Sequence, residues 1–236
     1  MKAILYDLAG RDGLHFSAFC WRARMALAHK GITPEIVPVH FFEIKSLPSP
    51  SGEPWKTVPV FEDDNGMVGD SWNIALHLEQ RYPDRPSLFG GEGGIKASLF
   101  FKYWVETGLA PLLAAGFMCD VLECLDDRDK EYFRTTREKR FGKTLEELQP
   151  GADAGIEAAR KALTPVRKVL EDNDFLGGKT PLFADYTLFG LLQWMRIVST
   201  KEVIPADDPL HGWMQRCLDL HSGMARSHTS RQERGR

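Results

Sequence analysis

With 236 residues, 43% hydrophobic and 27% charged, the chain is long enough to bury one large core or two smaller ones. Thirty Lys and Arg against 33 Asp and Glu leave a net charge of -3, which offers no basic face for nucleic acid. No apolar run approaches the ~20 residues of a membrane span, and Met1 to Asp7 pattern as a strand rather than as a signal peptide, so no membrane partner is expected. Cys20, Cys119, Cys124 and Cys217 show neither C-x-x-C spacing nor the density of a disulfide scaffold, so a reducing cytoplasm is the expected setting. The seven histidines form no H-x-x-x-H or Cys/His cluster, so no metal is expected.

In chain order, a strand over Ala3–Tyr6 leads to a helix over about Ser17–Lys30. There Phe19, Ala23, Ala26 and Leu27 recur at i, i+4, i+7 and i+8, and Gly31 supplies the stop. A strand at Glu35–Val39 follows, then strands at Val58–Phe61 and Met67–Gly69 joined by a turn at Asp63-Asp64-Asn65-Gly66. A helix opens at Ser71 with Ile74, Ala75, Leu78 and Tyr82 on one side. A βαβ unit followed by a hairpin and a helix is the order of a thioredoxin-like α/β domain, here residues 1–83. Pro83, Pro86 and the run Gly90-Gly91-Glu92-Gly93-Gly94 mark 84–94 as a linker. Beyond it the periods are helical, at about Ile95–Leu125, Ala152–Glu171, Ala184–Ser199 and Asp208–Gly223, with a break at Gln149-Pro150-Gly151. An all-α domain is expected over 95–225, and a disordered tail over 226–236, whose four arginines and one glutamate bring no aromatic.

Three places carry chemistry. Pro59 has no N–H for a sheet ladder, so it belongs at a strand start, an edge or a tight turn. A cis Val58–Pro59 bond would leave the N–H and C=O of Val58 facing outward, free to pair with an extended peptide. Asp70 and Ser71 open a helix, where a carboxylate accepts from an ammonium and backbone N–H groups donate to a carboxylate. Ser17 is the N-cap of the first helix. Each also has a plain reading, as an edge strand or as a helix cap.

Taken together and in this order, Val58-Pro59, the hairpin and Asp70-Ser71 resemble the glutathione transferase superfamily, whose fold is a thioredoxin-like domain followed by a helical one. The resemblance implies that Val58, before cis Pro59, pairs with the backbone of glutathione, and that Asp70 and Ser71 hold its γ-glutamyl group. It implies that the Ser17 hydroxyl hydrogen-bonds the sulfur, with Ala18 standing where serine-type members commonly carry proline. His40, Lys45 and Lys56 are the cations available to the glycine carboxylate; Thr57 occupies the place where the family often has a basic or amide residue. Phe175-Leu176-Gly177-Gly178 through Ala184-Asp185-Tyr186 matches the family's loop and helix start in the second domain, with Leu182 where a capping Ser, Thr or Asn is usual. A homodimer is likewise implied.

Phe-Ser-Ala-Phe-Cys-Trp-Arg from Phe16, Asp70-Ser71-Trp72, Tyr82-Pro83-Asp84-Arg85-Pro86 and Asp207-Asp208-Pro209-Leu210-His211-Gly212-Trp213 are similar to the bacterial β-aryl etherases and their fungal relatives. That branch implies an aromatic electrophile beside the sulfur. Phe16 and, from the cluster Phe100, Phe101, Tyr103 and Trp104, the residues Tyr103 and Trp104 are the expected lining, although such a cluster also suits a core. Tyr6 is a rival for Ser17. Cys20 would serve a glutathione-dependent thiol-disulfide reductase, and a non-catalytic binder of glutathione or aryl ligands is the other alternative.

Overall fold

The computed structural model describes residues 2–235. Its first half is a four-stranded sheet in the order β2-β1-β3-β4, built from β1 (Ala3–Leu8), β2 (Glu35–Val39), β3 (Val60–Asp63) and β4 (Gly66–Gly69). β1 pairs parallel with β2 and antiparallel with β3, and β3 pairs antiparallel with β4. Pro38 is tolerated because β2 is an edge strand. The turn is tight: Asp63 pairs with Gly66, and the Asp63 carboxylate accepts from the Asn65 backbone N–H at 2.7 Å. β3 begins two residues later than expected, because the ladder starts only past Pro59.

Helix α1 (Ala18–His29) is the crossover between β1 and β2, and α2 (Ser71–Arg81) follows the hairpin. Burial on α1 runs almost continuously from Cys20 to Leu27, wider than the single stripe expected, because a second helix covers its other side. That helix is α10 (Phe183–Val198), and the two approach closely at Gly190, where a Cβ would lie 2.4 Å from the Ala18 carbonyl oxygen. Two arginines are thereby buried on α1, each with an acid. Arg22 donates to Glu106 at 2.5 Å and Arg24 bonds Asp7.

After residue 92 the described residues hold no strand beyond one isolated bridge between Phe175 and Gly178. The run expected as one helix over 95–125 is divided into α3 (Glu92–Tyr103), a π-helical turn (Trp104–Leu109), α4 (Ala110–Ala114), a 3-10 turn and α5 (Met118–Cys124). Pro111 at the start of α4 and the glycines Gly108 and Gly116 explain the breaks. By length and composition this run, Glu92–Cys124, holds a window apolar enough to cross a bilayer, and 39% of that window is buried within the protein. The break at 149–151 is a 3-10 turn, followed by α8 (Ala152–Ala162) and α9 (Thr164–Leu170). Helices α6 (Asp127–Phe141) and α7 (Leu145–Leu148) lie in a stretch with no expected element. Helix α11 (Leu210–Gly223) leaves helical geometry at Leu220 to Ser222.

Leu182 caps α10 without a side-chain acceptor, as expected, and Asp185 bonds back to the Leu182 N–H at 3.0 Å. The same buried carboxylate accepts from the N–H groups of Leu176 and Gly177 and from the Trp213 indole, tying the Gly-Gly loop to α11. Burial nevertheless pushes its pKa up, against the four donors. In the C-terminal tail the described residues include α12 (Arg231–Arg234), where Arg231 bonds Glu123 and Arg234 bonds the Ile197 carbonyl. A chain of arginines with nearby acceptors has partners that composition alone does not reveal.

Candidate functional site

A cavity of about 730 Å³ opens between the sheet domain and the helices. Its two walls are made differently. On the sheet side the polar groups are set by backbone geometry. Ser17 has extended φ/ψ and caps α1, its hydroxyl accepting from the Cys20 N–H at 3.3 Å. A hydroxyl has one proton to give as well, so Ser17, only 8% exposed and lining the cavity, still has a donor to offer there. The first N–H groups of α1 lie at the same end.

The Val58–Pro59 peptide bond is cis, and both residues line the cavity. Among the described residues no backbone group pairs with the N–H or C=O of Val58, whereas the Pro59 carbonyl accepts from the Asp70 N–H at 3.1 Å. Asp70 is the N-cap of α2 and holds φ at 73°, a left-handed value that non-glycine residues adopt at a cost of about 1–3 kcal/mol. Its Oδ1 accepts from both Trp72 and Asn73 N–H groups, at 3.0 and 3.1 Å, which leaves Oδ2 for another donor. Asp70 lines the cavity; Ser71 is fully buried behind the first turn and does not, and its hydroxyl finds no partner among the described residues. Lys45 and Lys56 line the cavity as exposed cations.

The opposite wall is made of side chains. Phe41 and Phe42 rise from a 3-10 segment (Phe41–Ser46) of the sheet domain, and Tyr132, Phe133, Arg137 and Phe141 face them from α6. Leu191 and Trp194 of α10 and Met118 of α5 complete it. The joint between the sheet domain and the helices is Asp129, fully buried on α6, whose carboxylate accepts from the backbone N–H groups of Phe41 at 3.1 Å and Phe42 at 3.0 Å.

The chain matches the glutathione S-transferase N-terminal domain family over residues 13–86 and the glutathione S-transferase C-terminal domain family over residues 97–219. It belongs to the glutathione S-transferase family. The glutathione S-transferase-like protein ustS of Aspergillus flavus is 32% identical over 207 residues, covering 73% of this chain and 71% of that one. The glutathione transferase GSTFuA3 of Phanerochaete chrysosporium is 28% identical with a TM-score of 0.74, over 97% of this chain and 94% of that one. A glutathione S-transferase of Ceriporiopsis subvermispora, solved in complex with glutathione, superposes with a TM-score of 0.77 at 24% identity over 94% of this chain and 96% of its own, a likeness of fold.

Within this transferase fold the structure gathers Ser17, Val58, Pro59, Asp70, Lys56 and Phe16 around one cavity. Other expected residues stand elsewhere. His40 does not line it: its ring stacks on Phe42, and Nδ1 lies 3.4 Å from the Asp129 carboxylate. Tyr103 and Trp104 also fail to line it, which corrects the expectation that they flank the sulfur. The helix turns them away at the start of the π-helical turn, Tyr103 54% exposed under Lys102, Trp104 packed on Phe101. Phe19, expected in the core stripe of α1, is 44% exposed and turned to the cavity with Arg22 over its ring at 4.7 Å.

The rivals for Ser17 are also displaced. The Tyr6 hydroxyl donates to Glu62 at 3.1 Å, away from the cavity, and burial together with Glu62 raises its pKa. Cys20 is buried and outside the cavity lining; burial and the nearby Asp7 push its pKa well above the usual thiol value, so it stays a thiol. No group of His, Cys, Asp and Glu suited to a metal ion occurs among the described residues.

Proposed function

We propose that this protein binds glutathione against Val58 and Asp70 and uses the Ser17 hydroxyl to hold its sulfur as a thiolate, which attacks an aromatic electrophile seated on the α6 wall. The observation that carries the reading is the convergence of a capping hydroxyl at a helix start, an unpaired backbone edge at Val58 and a half-free carboxylate at Asp70 on one cavity. These match the donors and acceptors of a peptide with a free α-amino group. Lys45 and Lys56 stand ready for the glycine carboxylate, and the buried Ser71 hydroxyl becomes useful only if a γ-glutamyl carboxylate reaches it.

A free thiol titrates near ~8.5, and lowering it by about two units needs ~2.7 kcal/mol of preference for the thiolate. A hydrogen bond to a charged acceptor contributes about 1.5–3 kcal/mol and a helix N-terminus a further ~0.3–1. Together they suffice without a general base. Ser17 is then a stabiliser of the nucleophile and never the nucleophile itself.

The aromatic wall supports the etherase reading. There the thiolate displaces a phenolate from the carbon beside a carbonyl: a C–S bond forms, the C–O bond breaks, and the electron pair leaves on the phenolate oxygen. The protein contributes alignment and a flat apolar slot, and effective molarity lowers the barrier more than acid catalysis does. Domain limits of 1–83, a linker at 84–94 and a helical domain at 95–225 belong to the same proposal, beside family matches that run over 13–86 and 97–219. A homodimer in the cytoplasm is part of the same proposal, on family resemblance.

The experiment is glutathione-dependent phenol release from a fluorogenic β-aryl ether, run beside conjugation of a chlorinated nitroarene. Release of phenol that requires glutathione and falls in Ser17→Ala supports the full reading. Conjugation without ether cleavage removes the etherase branch, and neither activity with intact glutathione binding would make the protein a binder.

A further inference from the structure

Helix α6 carries ten charged side chains over its 15 residues, and they divide into two groups. Away from the cavity, basic residues are held in ion pairs: Arg128 with Asp126 at 2.9 Å, Lys130 with Asp127 at 2.6 Å, and Arg134 with Glu138 at 2.9 Å and with Glu146 of α7 at 2.8 Å. On the cavity face, Phe133, Arg137 and Phe141 recur at i, i+4 and i+8, with Arg140 beside the last. Here, among the described residues, the arginines form no ion pair with an acid. Among the described residues the one hydrogen bond from Arg137 goes to the Thr136 hydroxyl at 2.9 Å, and no carboxylate pairs with it.

Arg137 is also the better placed of the two. Its guanidinium lies over the Phe133 ring at 4.6 Å and the Phe41 ring at 5.3 Å, while Arg140 is exposed and over Phe141 at 5.6 Å. Burial pulls the Arg137 pKa down, opposed by the Tyr132 phenol and by no carboxylate among the described residues. Two aromatic faces compensate a guanidinium in part, but its planar fork of N–H donors stays open toward the cavity. Among the described residues the one carboxylate lining the cavity, Asp70, belongs to the opposite wall with Lys45 and Lys56, so the α6 side carries uncompensated positive charge.

We propose that Arg137 is a specificity-determining residue that selects aryl electrophiles bearing a carboxylate on the ring, the aromatic ring packing on the cavity wall that Phe41, Phe133 and Phe141 form and the carboxylate accepting from the guanidinium fork. This rests on the transferase reading for the reaction but not for the binding. An acid on the substrate restores the charge balance that α6 leaves open, and it holds the ring by its far end so that the reacting carbon can face Ser17.

The test uses 4-chloro-3-nitrobenzoate against 4-chloro-3-nitrobenzamide, which differ in charge and little in shape. In both, the thiolate sulfur bonds the ring carbon carrying chlorine, the electron pair moves onto the nitro-bearing ring, and chloride departs with it; the thiol proton has gone to solvent. The expected result is a benzoate-over-benzamide ratio in kcat/KM that falls about tenfold or more in Arg137→Gln, with Arg137→Lys between the two. Arg134→Gln, on the same helix but outside the cavity, leaves that ratio where it was and controls for helix stability. A ratio near one in the unaltered protein, or one that Arg137→Gln does not move, overturns the proposal. Binding of the unreactive pair 3-nitrobenzoate and 3-nitrobenzamide, followed by calorimetry, separates the two claims. If neither chloroarene is conjugated and the β-aryl ether is left intact, yet Arg137 still sets the preference in binding, the transferase reading fails and the anion site stands; if conjugation proceeds without any charge preference, the reverse holds.

Discussion

The two walls of the cavity are built by different means. The sheet wall presents a capped helix start, an unpaired backbone edge and a carboxylate fixed by an unusual φ, while the helical wall presents aromatic rings and an arginine from α6. A wall built from backbone geometry needs particular residue types in a particular order, and this leaves a trace in the sequence. A wall built from side chains needs only a shape and a charge, which many sequences supply. The sheet wall would therefore serve the part of the reaction common to the family, and the helical wall the part particular to this protein.

Parting the sheet domain from α6 at their joint should do the most damage. Asp129→Ala removes the acceptor for two backbone N–H groups, each costing about 1–3 kcal/mol if left dry, so a loss of about 3 kcal/mol is expected in urea unfolding. A loss under ~1 kcal/mol would show that the two are held by other contacts. Next comes Ser17→Ala, expected to raise the barrier to turnover by about 2–3 kcal/mol while glutathione affinity changes little, because the hydrogen bond serves the thiolate more than the peptide. A variant that keeps full turnover would return the role to another group. Asp70→Asn retains the helix cap and removes the charge, so glutathione affinity should fall by about 1.5 kcal/mol, at the low end for a charged hydrogen bond in an open site. Unchanged affinity by calorimetry would mean that the α-amino group binds elsewhere.

A smaller effect marks the contrast away from the site. Burial holds His221, near the Tyr186 hydroxyl and His29, down at about 4 against an ordinary ~6.5. A depressed folded pKa means that the unfolded chain takes the proton first. The stability this neutral ring contributes is thus complete above pH ~6.5 and lost as pH falls to about 4, without further loss below. His221→Asn, at a positive φ that Asn tolerates, should flatten the fall in Tm over that window, with turnover as the check that the cavity is unaffected. The smallest change is Leu182→Thr, which adds the missing cap acceptor to α10 and should gain ~0.5 kcal/mol once the lost packing of Leu182 is deducted.

Legibility in the sequence follows the same division. β2 is readable to the residue, and the start of α10 nearly so, because edge prolines, glycine stops and the Leu182-to-Asp185 spacing are local signals. The sheet-wall residues Ser17, Val58, Pro59 and Asp70 are readable from caps and from the missing N–H of proline. Helix α6 is not: Asp-Arg-Asp-Lys-Glu-Tyr-Phe-Arg-Thr-Thr-Arg-Glu-Lys-Arg-Phe has too few apolar residues for a stripe, and its signals are Asp126 as a cap, alternating charges and Gly142 as a stop. With α6 unseen, Tyr103 and Trp104 stood beside Phe16 as the aromatic residues for the pocket; Phe16 does line it, and Phe41, Phe42, Phe133 and Phe141 take the place of the other two. Phe19 shows the limit of periodicity, which names a face without saying whether a core or a cavity lies against it.

The chemistry proposed for the cavity depends on Ser17 holding the sulfur of glutathione as its thiolate. A pH titration of the ultraviolet thiolate absorbance of glutathione bound to the protein and to Ser17→Ala, at saturating protein, reads this without a second substrate. The bound thiol pKa should lie about two units below the ~8.5 of a free thiol in the unaltered protein and return most of the way in the variant. The same pKa in both proteins would contradict the role given to Ser17.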